Sequence, residues 1–338
     1  MDLNMLWFFL IGVLLTGYAI LDGFDLGVGT LHLFGRTDTE RRINMNSIGP
    51  VWDGNEVWLV TGGGALFAAF PDAYATAFSG FYLAFMLLLA ALIFRAVAME
   101  FRSKRPQRWW RSMWDMAFFL SSSVSSLLFG VAVGNMIQGI PIGPDKEYVG
   151  TFIELLNPYA LVVGVFNLSM FAMHGSIYLY LKTEGEYQQR VRRWVYKAYA
   201  AFVIMYGVTT VYTLLAVPNA TRNFEDLPWV WVIVALNVLA IANIPRALYH
   251  DLPLRAFISS ACTIAALVFL FGVALFPNLI VSSLGNEFNL TAYNAASSQR
   301  TLAIMRNIAF IGLPFVLTYT IAIYWIFRGK TRLTATSY

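Results

Sequence analysis

Segments of this chain are apolar over the width of a bilayer, again and again, and that recurrence restricts the fold more than any motif does. A hydrocarbon core about 30 Å thick takes about 20 apolar residues per helical crossing, and within it every backbone polar group has to be satisfied inside the element itself. The segments lie near 6 to 34, 50 to 70, 74 to 99, 113 to 138, 156 to 181, 195 to 217, 229 to 248, 255 to 276 and 303 to 327. They predict an all-α, polytopic membrane helix bundle of nine helices, one integral membrane domain spanning 1–338. With 58% hydrophobic and 12% charged residues, no long polar block is left for a separate soluble domain. The first segment contains Asp22 and Asp25 and has no small-residue cleavage pattern after its core, so it reads as a retained helix. Pro71-Asp72-Ala73 is expected to be a short link between antiparallel neighbours, and the polar connection 277–302 to carry structure of its own.

Lys and Arg fall mostly on one side of this arrangement. Alternate connections hold Arg36, Arg41 and Arg42; Arg102, Lys104, Arg105, Arg108 and Arg111; Lys182, Arg190, Arg192, Arg193 and Lys197; Arg246 and Arg255; and Arg328, Lys330 and Arg332. The opposite side has Lys146, Arg222, Arg300 and Arg306. By the positive-inside rule the N-terminus is expected outside and the C-terminus in the cytoplasm, as an odd number of crossings requires. The formal charge of +4 is thus a topology signal. It forms no basic stripe of the kind that binds nucleic acid.

Against this background the acidic residues inside the apolar segments stand out. A carboxylate at the centre of a membrane helix costs about 2.5 to 3.5 kcal/mol on insertion scales, so such groups face a bundle interior or a wet cavity. Asp22 and Asp25 come late in the first segment, Asp53 and Glu56 early in the second, and Arg95 and Glu100 at the end of the third. The expected topology puts all six on the cytoplasmic half. A spacing of three places each acidic pair on one helix face. Glu100 and Lys104, four apart, align if their helix runs on through the basic segment. Two readings stay open: a string of titratable groups for proton intake, or an ionic clamp in which Asp25 or Asp53 pairs with Arg95 while Asp22 and Glu100 reach the headgroups.

The remaining features say less. Gly23 and Gly27 are a small-xxx-small pair, and Gly62 to Gly64 thin the second helix, which suits close packing. Trp52, Trp58, Trp109, Trp110, Trp114 and Trp229 sit near segment boundaries, where interfacial anchoring is usual. His32, His174 and His250 are dispersed, so no pair on one helix suggests a metal site, and His174 reads as a hydrogen-bonded packing residue before a haem ligand. The lone Cys262 excludes an intrachain disulfide. Asn219 and Asn289 match the glycosylation pattern, which is too short to use.

Longer motifs carry a resemblance. Gly23-Phe24-Asp25-Leu26-Gly27-Val28-Gly29, Trp52-Asp53-Gly54-Asn55-Glu56-Val57-Trp58, Phe78-Ser79-Gly80-Phe81-Tyr82, Arg102-Ser103-Lys104, Leu156-Asn157-Pro158 and Ala295-Ala296-Ser297-Ser298 resemble subunit II of the cytochrome bd-type quinol oxidases, over essentially the whole chain. The resemblance implies a respiratory complex of the bacterial cytoplasmic membrane that oxidises quinol and reduces O2 to water with protons drawn from the cytoplasm. It implies that a partner, subunit I, holds the b-type and d-type haems, and that this chain ligates none and lacks catalytic residues of its own. Within the family's proton route, Asp53, Glu100, Lys104 and Tyr338 match subunit II positions, Glu100 standing where aspartate is usual; Asp25, Glu56 and Asp22 are further candidates. Trp58 matches the mouth of an oxygen route, and a bound quinone, small accessory subunits and membrane lipid are further expected partners. A proton-coupled transporter and a purely structural membrane subunit are the competing functions.

Overall fold

The computed structural model describes residues 2–333 and 337, without the side chains of 218 and 219. The chain is a bundle of helices: α1 (Leu3–Leu31), α2 (Asp38–Ile48), α3 (Trp52–Ala69), α4 (Pro71–Gly80), α5 (Tyr82–Arg102), α6 (Arg108–Gln138), α7 (Pro158–Lys182), α8 (Gly185–Ala216), α9 (Arg222–Asp226), α10 (Val230–Tyr249), α11 (Pro253–Leu275) and α12 (Gln299–Ile326). Among the described residues, eight helical stretches are long and apolar enough to cross a membrane. The remaining expected crossing is α3, whose 18 residues reach about 27 Å at 1.5 Å per residue.

Several expectations need correction at their ends. The third segment is two helices, broken at Phe81, and Pro71 occupies the first turn of α4 instead of lying in a link. Helix α8 begins ten residues before the apolar run and carries Arg190, Arg192 and Arg193 on regular helix. Helix α5 stops at Arg102, so Lys104 sits in the turn that follows and is not stacked over Glu100. An extra helix, α2, fills the first connection: Thr37 caps it by accepting from the Glu40 amide at 3.2 Å, and Glu40 reaches back to the Arg36 amide at 2.8 Å. The 277–302 connection does carry structure, a small antiparallel pair of β1 (Asn278–Ile280) and β2 (Leu290–Thr291).

Helix α1 is the centre of the bundle. From Asp22 to Gly29 every residue is buried, which requires neighbours on all sides, and α3, α6, α7, α11 and α12 supply them. Gly27 and Gly175 bring α1 and α7 into backbone contact. Phe24, Met99, Phe118, Met173 and Ile177 form the core of one half, while Trp7, Phe70, Ile140 and Leu302 belong to a second core.

The two ends of the bundle differ in chemistry. At one end Arg192 meets Asp251 at 3.1 Å, Lys182 Nζ donates to the Phe327 carbonyl at 2.6 Å, and Lys330 Nζ donates to the Leu181 carbonyl at 3.0 Å. Arg190 pairs there with Glu40. At the other end Trp7 Nε1 donates to the Leu302 carbonyl at 3.0 Å, Gln299 holds Asn4 at 2.8 Å, and Lys146 pairs with Asp72 at 2.5 Å. The basic connections therefore gather on a single end.

Candidate functional site

Two of the intramembrane carboxylates, Asp22 and Glu56, converge on one guanidinium, and a third, Asp25, is held beside them by an amide. Arg95, on α5, is fully buried; its Nη1 donates to Asp22 Oδ1 at 2.7 Å and its Nη2 lies 3.3 Å from Glu56 Oε2. Asp25 turns toward α3, where Asn55 Nδ2 donates to its Oδ2 at 2.8 Å and to the Leu21 carbonyl at 3.2 Å. Tyr324 of α12 completes this side by donating to Asn55 Oδ1 at 2.8 Å. Four helices thus meet at one polar node, α1, α3, α5 and α12.

The pairing differs from the clamp expected between Arg95 and Asp25 or Asp53. Asp22 is the direct partner, and it is fully buried instead of reaching the headgroups. A spacing of three on α1 puts Asp22 and Asp25 on one side, but a turn of 300° leaves them aimed at different neighbours, α5 and α3. Two carboxylates share the Arg95 guanidinium and Asp25 lies beside them, and the burial of this ion pair raises the cost of removing either partner.

The other expected members of a proton route stand apart from this node. Asp53 is on the exposed face of α3 beside Gly54, Val57 and Val60. Glu100 is half-buried near the end of α5, and Lys104 is exposed. No hydrogen bond or ion pair joins Asp53, Glu100 and Lys104 among the described residues. Tyr338 lies outside the described residues. Trp58 is half-buried and lies flat enough on α1 that a methyl group at Gly17 would strike its ring.

A second polar cluster at the basic end was not anticipated. Asp115, buried near the start of α6, accepts from Arg102 Nε at 2.5 Å, Arg41 Nη1 at 2.7 Å and His32 Nε2 at 2.6 Å. Arg102 also donates to Asp38 at 2.9 Å, and Arg111 reaches the same carboxylate at 3.1 Å. The signal was present: Asp115 is the single acid of the fourth apolar segment. Its distance from any other acid in the sequence hid it.

His174 is held as a packing residue. Its Nδ1 faces Ser260 Oγ at 2.7 Å, its Nε2 faces the Ile20 carbonyl at 3.0 Å, and its ring stacks on Phe257 with centroids 4.8 Å apart. Both ring nitrogens are engaged by protein atoms, which leaves neither for a metal. No group of three His, Cys, Asp or Glu side chains converges as a metal site among the described residues.

Comparison with known proteins adds an independent finding. A family model described as cytochrome bd terminal oxidase subunit II matches residues 3–327. The chain is 41% identical to cytochrome bd-I ubiquinol oxidase subunit 2 of Escherichia coli (strain K12), over 97% of this chain and 95% of that protein. It is 35% identical to cytochrome bd ubiquinol oxidase subunit 2 of Bacillus subtilis (strain 168), over 97% of each. The solved structure of bd oxidase from Geobacillus thermodenitrificans contains a chain with the same fold, at a TM-score of 0.78 and 15% identity, covering 97% of this chain and 99% of that one.

Proposed function

This chain belongs to the cytochrome bd terminal oxidase subunit II family, and on that premise we propose that it supports a haem-bearing subunit I, ligates no haem itself, and carries part of the proton supply for reduction of O2 to water by quinol. The basic end of the bundle faces the cytoplasm in this reading, with the N-terminus outside, in the bacterial cytoplasmic membrane. Nine crossings, α3 among them, satisfy that orientation.

The observation that carries the proton role is Asp53. Its carboxylate lies exposed on the side of a membrane helix, with no partner among the described residues. Lipid is a costly neighbour for such a group, so it belongs against a wet cleft or a partner subunit. Glu56, one turn along α3, connects the same helix to the buried Arg95 node, while Glu100 and Lys104 flank the end of α5 toward cytoplasmic water. Trp58 is assigned to the oxygen route. A quinone bound to this subunit and small accessory subunits stay with the family reading, and quinol and O2 react at subunit I.

The test is Asp53→Asn in the assembled complex. Slower quinol-driven oxygen consumption with an unaltered haem spectrum is the expected result. Full turnover would remove Asp53 from the route. A second reading, a structural clamp, is favoured for Asp22 by its fully buried pairing with Arg95; it predicts that substitutions there abolish assembly instead of slowing an assembled enzyme.

A further inference from the structure

We propose that α1, α5 and α6 enclose a hydrated seam, a site for a file of ordered water molecules that joins the His32–Asp115 cluster at the basic end to the Asp22–Arg95 node deeper in the bundle. The inference rests on the proton role above for its function, but its geometry stands separately.

The seam begins as a pattern on α1. Tyr18, Asp22, Asp25, Gly29 and His32 follow one another at spacings of four, three, four and three, the repeat of one helix face. The matching stripe on α6 is Asp115, Phe118, Ser122, Ser125 and Phe129, at three, four, three and four. The two stripes face each other antiparallel. His32 binds Asp115 at 2.6 Å and packs edge-on to Phe118 at 5.0 Å; a methyl group at Gly29 would strike Ser122 Oγ; and Tyr18 packs on Phe129 at 5.2 Å. Interpolation between these contacts puts Ser125 at the level of Asp25 and Asp22, each of which has one oxygen held by α3 or α5. Arg95 and Arg102, seven residues apart on α5, close the third side through their bonds to Asp22 and Asp115.

Polar atoms along this seam lack protein partners. His32 Nδ1, Ser122 Oγ, Ser125 Oγ, Asp25 Oδ1, Asp22 Oδ2 and Arg95 Nε are all buried and bond to no other protein atom, and their residues are at most 1% exposed. An isolated buried hydroxyl or carboxylate oxygen without a partner costs about 1 to 3 kcal/mol, so six gathered along one line call for partners. Water satisfies such groups where several polar atoms converge. From Asp22 to His32, the residue that caps α1, is ten residues, about 15 Å, which is about five hydrogen-bond steps of ~2.8 Å. The outer mouth is polar and reachable, because Arg41 and Asp38, both bound into the Asp115 cluster, are 28% and 45% exposed.

Such a file suits proton movement. Each water or hydroxyl accepts one proton and releases another, so a proton passes between the ends and every member regains its charge. The apolar ring of Phe118, packed edge-on to His32, lies beside the file.

The decisive observation is a structure of the whole complex at a resolution that shows ordered water. Density within hydrogen-bond distance of His32 Nδ1, Ser122 Oγ, Ser125 Oγ and Asp25 Oδ1 is expected. A dry seam, with these side chains bonded to one another, overturns the proposal. The double variant Ser122→Ala/Ser125→Ala removes both hydroxyls without adding bulk. It is expected to lower quinol-driven oxygen consumption several-fold in a complex whose haem spectrum and thermal midpoint are unaltered. Full turnover in that variant removes the file from proton supply. Asp53→Asn measured alongside separates the two ideas: a slow Asp53 variant with a fully active serine variant sinks the seam alone, and the reverse sinks the Asp53 route alone.

Discussion

Arg95 Nη1 donates to Asp22 Oδ1 over 2.7 Å with both side chains fully buried, and this single bond joins α5 to α1 at the depth where the chain can least tolerate an unpaired charge. Glu56 approaches the same guanidinium from α3 at 3.3 Å with its side chain 23% exposed. The node therefore reaches from the sealed interior to the outward face that carries Asp53. The structural clamp and the proposed proton route would share these atoms, and substitution of each partner separates the two roles.

Arg95→Leu leaves Asp22 buried without its counter-ion, and the loss is expected to be about 3 to 5 kcal/mol. Arg95→Leu combined with Asp22→Leu removes both charges and should cost less than Arg95→Leu alone. The thermal midpoint of the purified complex, with its yield of assembled enzyme, reads both.

Asp53→Asn changes an exposed group with no partner among the described residues, so its effect on stability is expected to stay within about 0.5 kcal/mol. Turnover is expected to fall several-fold at the same time. Oxygen consumption driven by quinol, normalised to the haem spectrum, checks the pair of outcomes.

Gly27→Ala drives a methyl group into the carbonyl of Phe171 and toward Gly175, where backbone meets backbone and cannot yield as a side chain would. A loss of about 1 to 3 kcal/mol is expected. Gly12→Ala, on the same helix with open space around the new methyl, serves as the control; it is expected to be neutral or stabilising by up to about 1 kcal/mol. Melting curves of the two complexes give the comparison.

Asp115→Asn weakens the acceptor shared by Arg102, Arg41 and His32. With its hub neutral, the end of α5 loses its fastening to α6, to His32 and to Arg41 of α2, at an expected cost of about 3 kcal/mol or more. Protection of the Arg102–Gln107 amides against hydrogen exchange should fall in this variant while that of α10 and α11 stays unchanged. Equal protection in that segment would show that Asp115 is not what holds it.

Much of this protein was legible from apolar run lengths and Lys/Arg placement. The helices around α6, α7, α10 and α11 begin and end within a few residues of the apolar runs, since hydrocarbon-length segments leave little choice of structure. The helix ends were less legible. Pro71 was read as part of a link and instead opens α4, and α8 continues ten residues into charged sequence, because a helix in headgroup or water needs no apolar residues to persist. The sequence marked Asp22, Asp25 and Glu56 as intramembrane acids, but its clamp reading paired Arg95 with Asp25 or Asp53, where the structure pairs it with Asp22 and Glu56.

By itself the sequence determined the class of fold, the end of the bundle that collects positive charge, and the presence of carboxylates too costly to face lipid. Those properties are local or additive, summed along each segment against a bilayer of known thickness. Only the tertiary structure decided that Arg95 takes Asp22 and leaves Asp25 to Asn55, that Asp53 faces outward, and that Asp115 closes on His32 across 83 residues of chain. Partner choice among buried charges depends on helix rotation and crossing, and a rotation of 100° per residue turns neighbours three positions apart toward different helices. That is why the intramembrane acids could be counted from the sequence, and why their pairing could not.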